Sequence, residues 1–372
     1  MILNFFLMLK RINISFSLKE RDYIIYDKTG SDDFSNLFNK QDVFVLNTRL
    51  AHINKIYLSR KIFLSILKNI FKYRLKENYL IAIINEINPE IVITRIDNAP
   101  EFWNLAKYFQ NKIKFIAVQN ATRGDWIPLP KIWGKEAHIT NYVCFSEFDI
   151  EAIKSIKNIK VQKFFIGGSL RNSNFKKEIK KNPNKIITEK YDICFISKQD
   201  LSENEGAKGR RKQLIDLLQK ISKYIKKFNK KIIIASKRNQ NQKEEDFYNK
   251  TFSGSFFRIS WRTDPFQSYE AINNSEIIVG LSSTILREAY SYKSKILCCG
   301  YTRKPKYWDP FSNFNYLDDI SYDNLEKKLN LLFETNLDEY YKKLDKKKDY
   351  YMQDIDTNNF LKKLIVNKAQ LL

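Results

Sequence analysis

The sequence predicts an α/β protein made of two doubly wound parallel sheets. Three observations carry this. Short apolar runs alternate with helical patterns through both halves of the 372 residues, the signature of βαβ units. The length suits two domains at about 150 residues each. A lysine-rich stretch with few apolar anchors, Asn172–Lys190, contains Pro183 and separates the halves. The expected division is residues 1–172, residues 190–335, and a charged helical tail over 336–372.

In the first half, strands are expected at Tyr23–Tyr26, Val43–Leu46, Glu90–Thr94, Lys114–Val118, Tyr142–Phe145 and Val161–Ile166. One helix is expected over Ile62–Ile87, where apolar residues recur at helical spacing with lysines outside. Another is expected over Pro100–Gln110, with proline in its first turn. In the second half, strands are expected at Tyr191–Ser197, Lys231–Ser236, Phe256–Ser260, Glu276–Leu281 and Lys295–Cys299. The helix Arg211–Asn229 places Leu214, Leu217, Leu218, Ile221, Ile225 and Phe228 on one face. From Asn324 onward the chain reads as charged helix without a motif.

Composition narrows the function classes. Hydrophobic residues make up 43% of the chain and aromatics 14%, enough for sizeable cores. Cys144, Cys194, Cys298 and Cys299 lie in or beside apolar runs without metal-ligand spacing, as buried free thiols do. The net charge is +23, which suits nucleic acid, an anionic membrane surface or phosphorylated substrates. Lysine supplies 50 of the 65 basic residues, against 15 arginines, and they are scattered. No aromatic-basic module accompanies them, so nucleic acid is set aside as a partner. The apolar run Ile2–Leu9 is short against the roughly 20 residues of a spanning helix, and it lacks a signal-peptide cleavage site. A cytoplasmic protein, either soluble or peripheral at the inner face of the cytoplasmic membrane, is therefore expected.

In doubly wound sheets, ligands bind outside the carboxyl ends of the strands, so those loops hold the candidate site. The most informative is the turn after Ile277-Ile278-Val279. Ser282, Ser283 and Thr284 precede a helix there, and free N–H groups with the helix dipole favour an anion. Glu288 lies one turn further in. It is not the capping-box partner of Ser282, Ser283 or Thr284, because the residues at that spacing are Ile285, Leu286 and Arg287. A carboxylate there suits the vicinal hydroxyls of a ribose. Lys198, Lys237, Arg238 and Arg262 add cations at neighbouring strand ends. The first half supplies Asp97 and Asp125 as carboxylates, with Asn98, Gln119, Asn120, Arg123, Gly168 and Ser169 around them. Each residue alone also reads as an ordinary cap, turn or solvated charge; their complementary chemistry at one edge of two sheets selects them. A carboxylate base, Asp97 or Asp125, would deprotonate a nucleophile while cations stabilise a departing phosphate.

Several stretches resemble GT-B-type transferases of bacterial surface-carbohydrate (capsule and O-antigen) biosynthesis, loosely similar to Kdo- and sialyl-type and CDP-glycerol transferases. They include IVITRIDNAPEFWNLAKYF (91–109), FIAVQNATRGDW (115–126), GGSLRNS (167–173) and, above all, SYEAINNSEIIVGLSSTILREAYSYKSKILCC (268–299). The resemblance implies two Rossmann-like domains (GT-B-like) with an interdomain cleft and a nucleotide-sugar donor bound by the second without an essential metal. It places Ser282, Ser283 and Thr284 at the donor phosphate and Glu288 at the ribose. The chain departs from the pattern in two places. No Glu lies eight residues from Glu288, and Asn120-Ala121 stand where related loops often carry His.

The function expected is transfer of a sugar from a nucleotide-sugar donor to a surface-polysaccharide or lipid-linked glycan acceptor. The alternatives are transfer of a polyol phosphate from CDP-glycerol, a sugar-nucleotide epimerase and a basic nucleic-acid-binding protein.

Overall fold

The computed structural model describes residues 13–49, 53–69, 71–110, 112–122, 137–157, 159–183, 189–197, 208–281, 283–292, 294–300 and 311–367. The N-terminal half contains β1 (Asn13–Ser15), β2 (Tyr23–Tyr26), β3 (Val43–Leu46), β4 (Lys55–Tyr57), β5 (Ile91–Thr94), β6 (Lys114–Val118), β7 (Ala137–Cys144) and β8 (Ile159–Ile166). Six of them form one parallel sheet in the order β3-β2-β5-β6-β7-β8, and β1 pairs with β4 in a separate parallel ribbon. The second half contains β9 (Tyr191–Ile196), β10 (Ile232–Ala235), β11 (Phe257–Ser260), β12 (Ser275–Gly280), β13 (Lys295–Cys299) and β14 (Tyr316–Leu317). These also form a parallel sheet, in the order β11-β10-β9-β12-β13-β14. Two doubly wound α/β domains are thus observed. Ile91, Val92 and Ile93, like Ile232, Ile233 and Ile234, are wholly buried, as strands covered by helices on both faces must be.

The helices are α1 (Arg60–Lys68), α2 (Leu75–Ile87), α3 (Pro100–Phe109), α4 (Glu147–Lys154), α5 (Leu170–Lys181), α6 (Lys208–Lys227), α7 (Gln242–Thr251), α8 (Gln267–Asn273), α9 (Thr284–Glu288), α10 (Tyr322–Glu334), α11 (Leu337–Lys342), α12 (Lys348–Tyr351) and α13 (Thr357–Val366). The single helix expected over 62–87 is two. Asn69 ends α1, and Asn78 Nδ2 reaches back to donate to the Ile66 carbonyl at 2.8 Å. That bond satisfies a carbonyl at the end of α1 and lets α1 fold back onto α2.

The stretch expected as an interdomain boundary begins with a helix, α5. Leu170 and Phe175 are buried in the cores of the two domains, and polar anchors hold the helix beside them. Ser169 caps it by accepting from the Asn172 N–H, Asn174 Nδ2 donates to the Asp33 carbonyl at 2.8 Å, and Asn358 Nδ2 donates to Asn174 Oδ1 at 2.8 Å. The tail expected as a third region is shared between the two domains. Tyr340, Leu344, Tyr351 and Met352 complete the second core. Leu361, Leu364 and Ile365 of α13 pack on Ile25, Phe34 and Ile93 of the first. The chain thus returns to the domain in which it began. The four cysteines are buried and free.

Candidate functional site

The carboxyl ends of both sheets meet along one seam, and three hydrogen-bonded groups cross or flank it. The first is a buried ion pair between the domains. Arg287 donates from Nη1 and Nη2 to the two carboxylate oxygens of Asp149, each at 2.6 Å, and both side chains are fully buried. Gln119 Nε2 donates to Asp149 Oδ1 at 2.7 Å, and the Ser146 N–H donates to Oδ2 at 3.1 Å. The guanidinium also donates to Ser146 Oγ and to the Tyr351 carbonyl, and lies over the Phe148 ring. A bidentate, fully hydrogen-bonded pair of this kind fixes geometry. Gln119, expected to line the acceptor side, is therefore part of the joint between domains.

The second group surrounds Asp97, which is 2% exposed. Tyr142 OH donates to Oδ2 at 2.6 Å, the Asn120 N–H approaches Oδ1 at 3.4 Å, and Trp103 Nε1 donates to the Asp97 carbonyl. The same loop continues to Thr122, whose N–H donates to Thr284 Oγ1 at 3.0 Å. Asp97 and Thr284 are thus connected across the seam through residues 120–122.

The third group centres on Glu288, buried beneath the seam. Ser169 Oγ donates to Oε1, and Tyr269 OH donates to Oε2 at 2.9 Å. Burial pushes the Glu288 carboxyl above its ordinary pKa, while Ser169, Tyr269, Arg95 and Arg171 pull the other way. Arg95 and Arg171 both pair with Asp33, Arg171 at 3.2 Å. The Nε atoms of both arginines are buried and without a hydrogen-bond partner. Burial and the neighbouring Arg171 bring Arg95 down to about 10. Gly30, beside Arg95, lies at φ +80, a backbone conformation that favours glycine. The turn before it is set by Asp27, at φ +75, which accepts from the Thr29 N–H, Thr48 Oγ1 and Arg49 Nε at 2.7 to 2.9 Å. Burial works to raise the Asp27 carboxyl, but these bonds together carry it below the ordinary value.

The seam therefore brings together Asp97, Gln119, Asn120, Ser169, Thr284 and Glu288, with Ser283 as the cap residue of α9. Gly168 lies beside them, yet its backbone faces the returning tail: at φ +67, an added Cβ would meet the Gln353 carbonyl at 2.7 Å. Asn98 is exposed at the end of β5. Lys237 and Arg238 follow β10, and Arg262 follows β11, whose N–H donates to the Arg238 carbonyl at 2.8 Å. These strands stand two and three places from β12, about 10 and 14 Å along the sheet at the usual strand spacing. Asp125, Arg123, Ser282 and Lys198 lie outside the described residues. The helix expected to point its dipole at an anion is short: α9 spans five residues before a 3-10 turn. Its dipole is correspondingly small, so charge at the seam comes mainly from side chains. His138 is near the start of β7, at the opposite end of the strand from the seam. Among the described residues no group of three or more His, Cys, Asp or Glu is arranged to hold a metal ion.

Sequence reading missed Arg95, Arg171, Asp33, Tyr269, Arg287 and Asp149 as members of the site. Arg95 and Arg171 belong to strand-end loops that the topology rule already marks; the others act through partners distant in sequence.

No family profile and no curated protein matches the sequence. Solved structures do match its fold. The UDP-GlcNAc 2-epimerase from Neisseria meningitidis bound to UDP-GlcNAc superposes with a TM-score of 0.55 at 14% identity, over 94% of this chain and 100% of that one. The Methanocaldococcus jannaschii UDP-GlcNAc 2-epimerase in complex with UDP-GlcNAc and UDP gives 0.54 at 14%, over 94% and 100%. The UDP-N-acetylglucosamine 2-epimerase from Rickettsia bellii gives 0.54 at 13%, over 95% and 97%. The architecture is GT-B-like, with two parallel-sheet α/β domains.

Proposed function

We propose that the chain is a nucleotide-sugar-dependent glycosyltransferase that works at the seam between its domains. One observation carries this reading: the Thr122–Thr284 contact joins the loop of Asn120, whose N–H approaches Asp97 on the neighbouring loop, to the helix that begins at Thr284 and ends at Glu288. A base from one domain then meets a phosphate-side turn from the other. Tyr142 holds one oxygen of Asp97 and orients the carboxylate to take the acceptor hydroxyl's proton; Asp125 is the competing base. As the sugar–phosphate bond breaks, charge grows on the nucleotide phosphate. Thr284, Ser283 and Arg171, whose side chain is 30% exposed, would stabilise it. The outer cations Lys237, Arg238 and Arg262 would follow the nucleotide along the sheet edge. Glu288 would contact the ribose after exchanging one of its present hydrogen bonds. With guanidinium groups at the leaving phosphate, turnover proceeds in EDTA. The acceptor is a surface glycan or its lipid-linked precursor.

A second reading, a sugar-nucleotide epimerase, is favoured by the near full-length superposition on UDP-GlcNAc 2-epimerases in complex with UDP-GlcNAc. Two experiments separate the readings. Calorimetry with UDP, GDP, CDP and CMP gives binding to at least one on the transferase reading. CMP covers Kdo- and sialyl-type donors, and CDP-glycerol in the same series covers polyol-phosphate transfer. No binding of any at millimolar concentration overturns both readings. Incubation with the matching nucleotide sugar and no acceptor then leaves the sugar unchanged; appearance of its epimer selects the second.

A further inference from the structure

We propose that the outward face of α1, with the α1–α2 turn and the adjoining β1, is a docking surface for anionic phospholipid membranes. The surface stands independently of the chemistry at the seam. Among the described residues, large hydrophobic side chains that remain exposed are concentrated here. Phe63, Leu64 and Leu67 project from α1, Phe71 and Leu75 follow in the turn and at the start of α2, and Phe16 lies just beyond β1. Their exposures run from 49% for Leu67 to 103% for Phe71. A contiguous patch of this kind on a water-facing surface marks an interaction site.

The helix is held from its other side, so its outer face is a fixed platform. Ile62 is wholly buried and Ile66 packs on the first core. Ser59 caps the helix by accepting from the Ile62 N–H, and also donates to Glu86. At 100° per residue, Phe63, Leu64 and Leu67 fall within one outward arc, opposite Ile62.

Charge decides the occupant. Between Lys55 and Lys76 there are seven Lys and Arg and no Asp or Glu. Arg60, Lys61, Lys68 and Lys72, all exposed, border the apolar arc. A protein interface of this size ordinarily loses charge at its core and mixes signs at its rim. Glu77, in the first turn of α2, is the nearest carboxylate in the chain; an apolar stripe bordered mainly by cations matches the acyl boundary beneath a layer of phosphate headgroups, where the rings and Leu side chains insert while the cations meet the lipid charge. The nine residues of α1 are about 14 Å long, enough to lie in that interface and too short to cross it.

Flotation of the full chain with phospholipid vesicles tests this. Wild-type protein floats with vesicles of phosphatidylcholine and phosphatidylglycerol at low salt, and at least 10-fold less with phosphatidylcholine alone or at 0.5 M salt. Phe63→Gln combined with Leu67→Gln, and separately Lys61→Glu combined with Lys68→Glu, each weaken binding to anionic vesicles at least 10-fold. Circular dichroism and nucleotide calorimetry should match wild type in both variants, which keeps failure here distinct from failure of the transferase reading. Absence of flotation with anionic vesicles at low salt overturns the proposal. So does unchanged binding in both variants, which would assign the effect to scattered lysines or to residues 1–12. Concentration-dependent dimerisation abolished by the Phe63/Leu67 change, without vesicle binding, would make the face an interface between copies.

Discussion

Glu288 is a carboxylate buried to 4% exposure, and its neighbours only partly compensate. Burial raises its pKa despite donors at both oxygens and two arginines nearby. A group whose folded pKa is raised stabilises the fold fully below its unfolded value, near 4.5, and that contribution is lost as pH rises through the folded value. Glu288→Gln cannot ionise and loses nothing over that window. Urea midpoints measured from pH 4 to pH 8 should therefore fall in wild type relative to Glu288→Gln as pH increases. A constant difference between the two across that range would show that Glu288 does not titrate abnormally. Asp97 gives a second test at this scale. Asp97→Asn keeps the shape and removes the base, so transfer should drop about 10²–10⁴-fold while nucleotide affinity is retained. If Asp125→Asn abolishes turnover and Asp97→Asn does not, the base is Asp125.

At the scale of elements, the chain closes on itself where Gly168 meets the tail. Any side chain at residue 168 would need a left-handed backbone and would strike the Gln353 carbonyl. Gly168→Ala should cost more than about 1 kcal/mol, read by chemical denaturation, whereas a position that merely reverses the chain would tolerate alanine. Helix α13 makes the same point through packing: Leu364 is 2% exposed within the first core, so Leu364→Ala should cost about 2–5 kcal/mol. Which elements were legible in the sequence follows from their chemistry. Strands β2, β3, β5, β6, β9, β10, β12 and β13 are apolar runs, and the run itself carries the information. Helix α5 was not legible because it offers few apolar positions, Leu170, Phe175 and Ile179, and much of its anchorage runs through Ser173, Asn174 and Asn358. The role of α13 was not legible because its Leu361, Leu364 and Ile365 look like any amphipathic face; only the return of the chain shows which core they fill. In the site, Asp97, Ser169, Thr284 and Glu288 could be chosen because strand ends in doubly wound sheets are marked by topology. Arg287 could not, since it reads as a surface residue until Asp149, 138 positions away, is placed against it.

For the whole molecule, that pair governs how the two domains behave as one. Thr122–Thr284, Ser169–Glu288 and Tyr292–Asn172 also cross between the domains, but the Arg287–Asp149 bridge is an ion pair with both side chains fully buried. Arg287→Met removes the cation and keeps much of the volume. Asp149 then remains a buried carboxylate with only Gln119 and Ser146 as donors, and the Tyr351 carbonyl loses a partner. Breaking one side of a buried pair costs about 3–5 kcal/mol. Adding Asp149→Leu removes the stranded charge but leaves the Gln119 and Ser146 donors unpaired, at about 1–3 kcal/mol each, so recovery should be partial. Because this energy lies between domains rather than within either core, its loss should change cooperativity as well as stability. Wild type should melt calorimetrically as one transition, and Arg287→Met as two, with each core unfolding on its own. A nucleotide that contacts both sides of the seam binds only the joined form, so saturating ligand should draw the two transitions back together. One transition in Arg287→Met, displaced by no more than a degree or two, would mean that the domains are held by something other than this bridge.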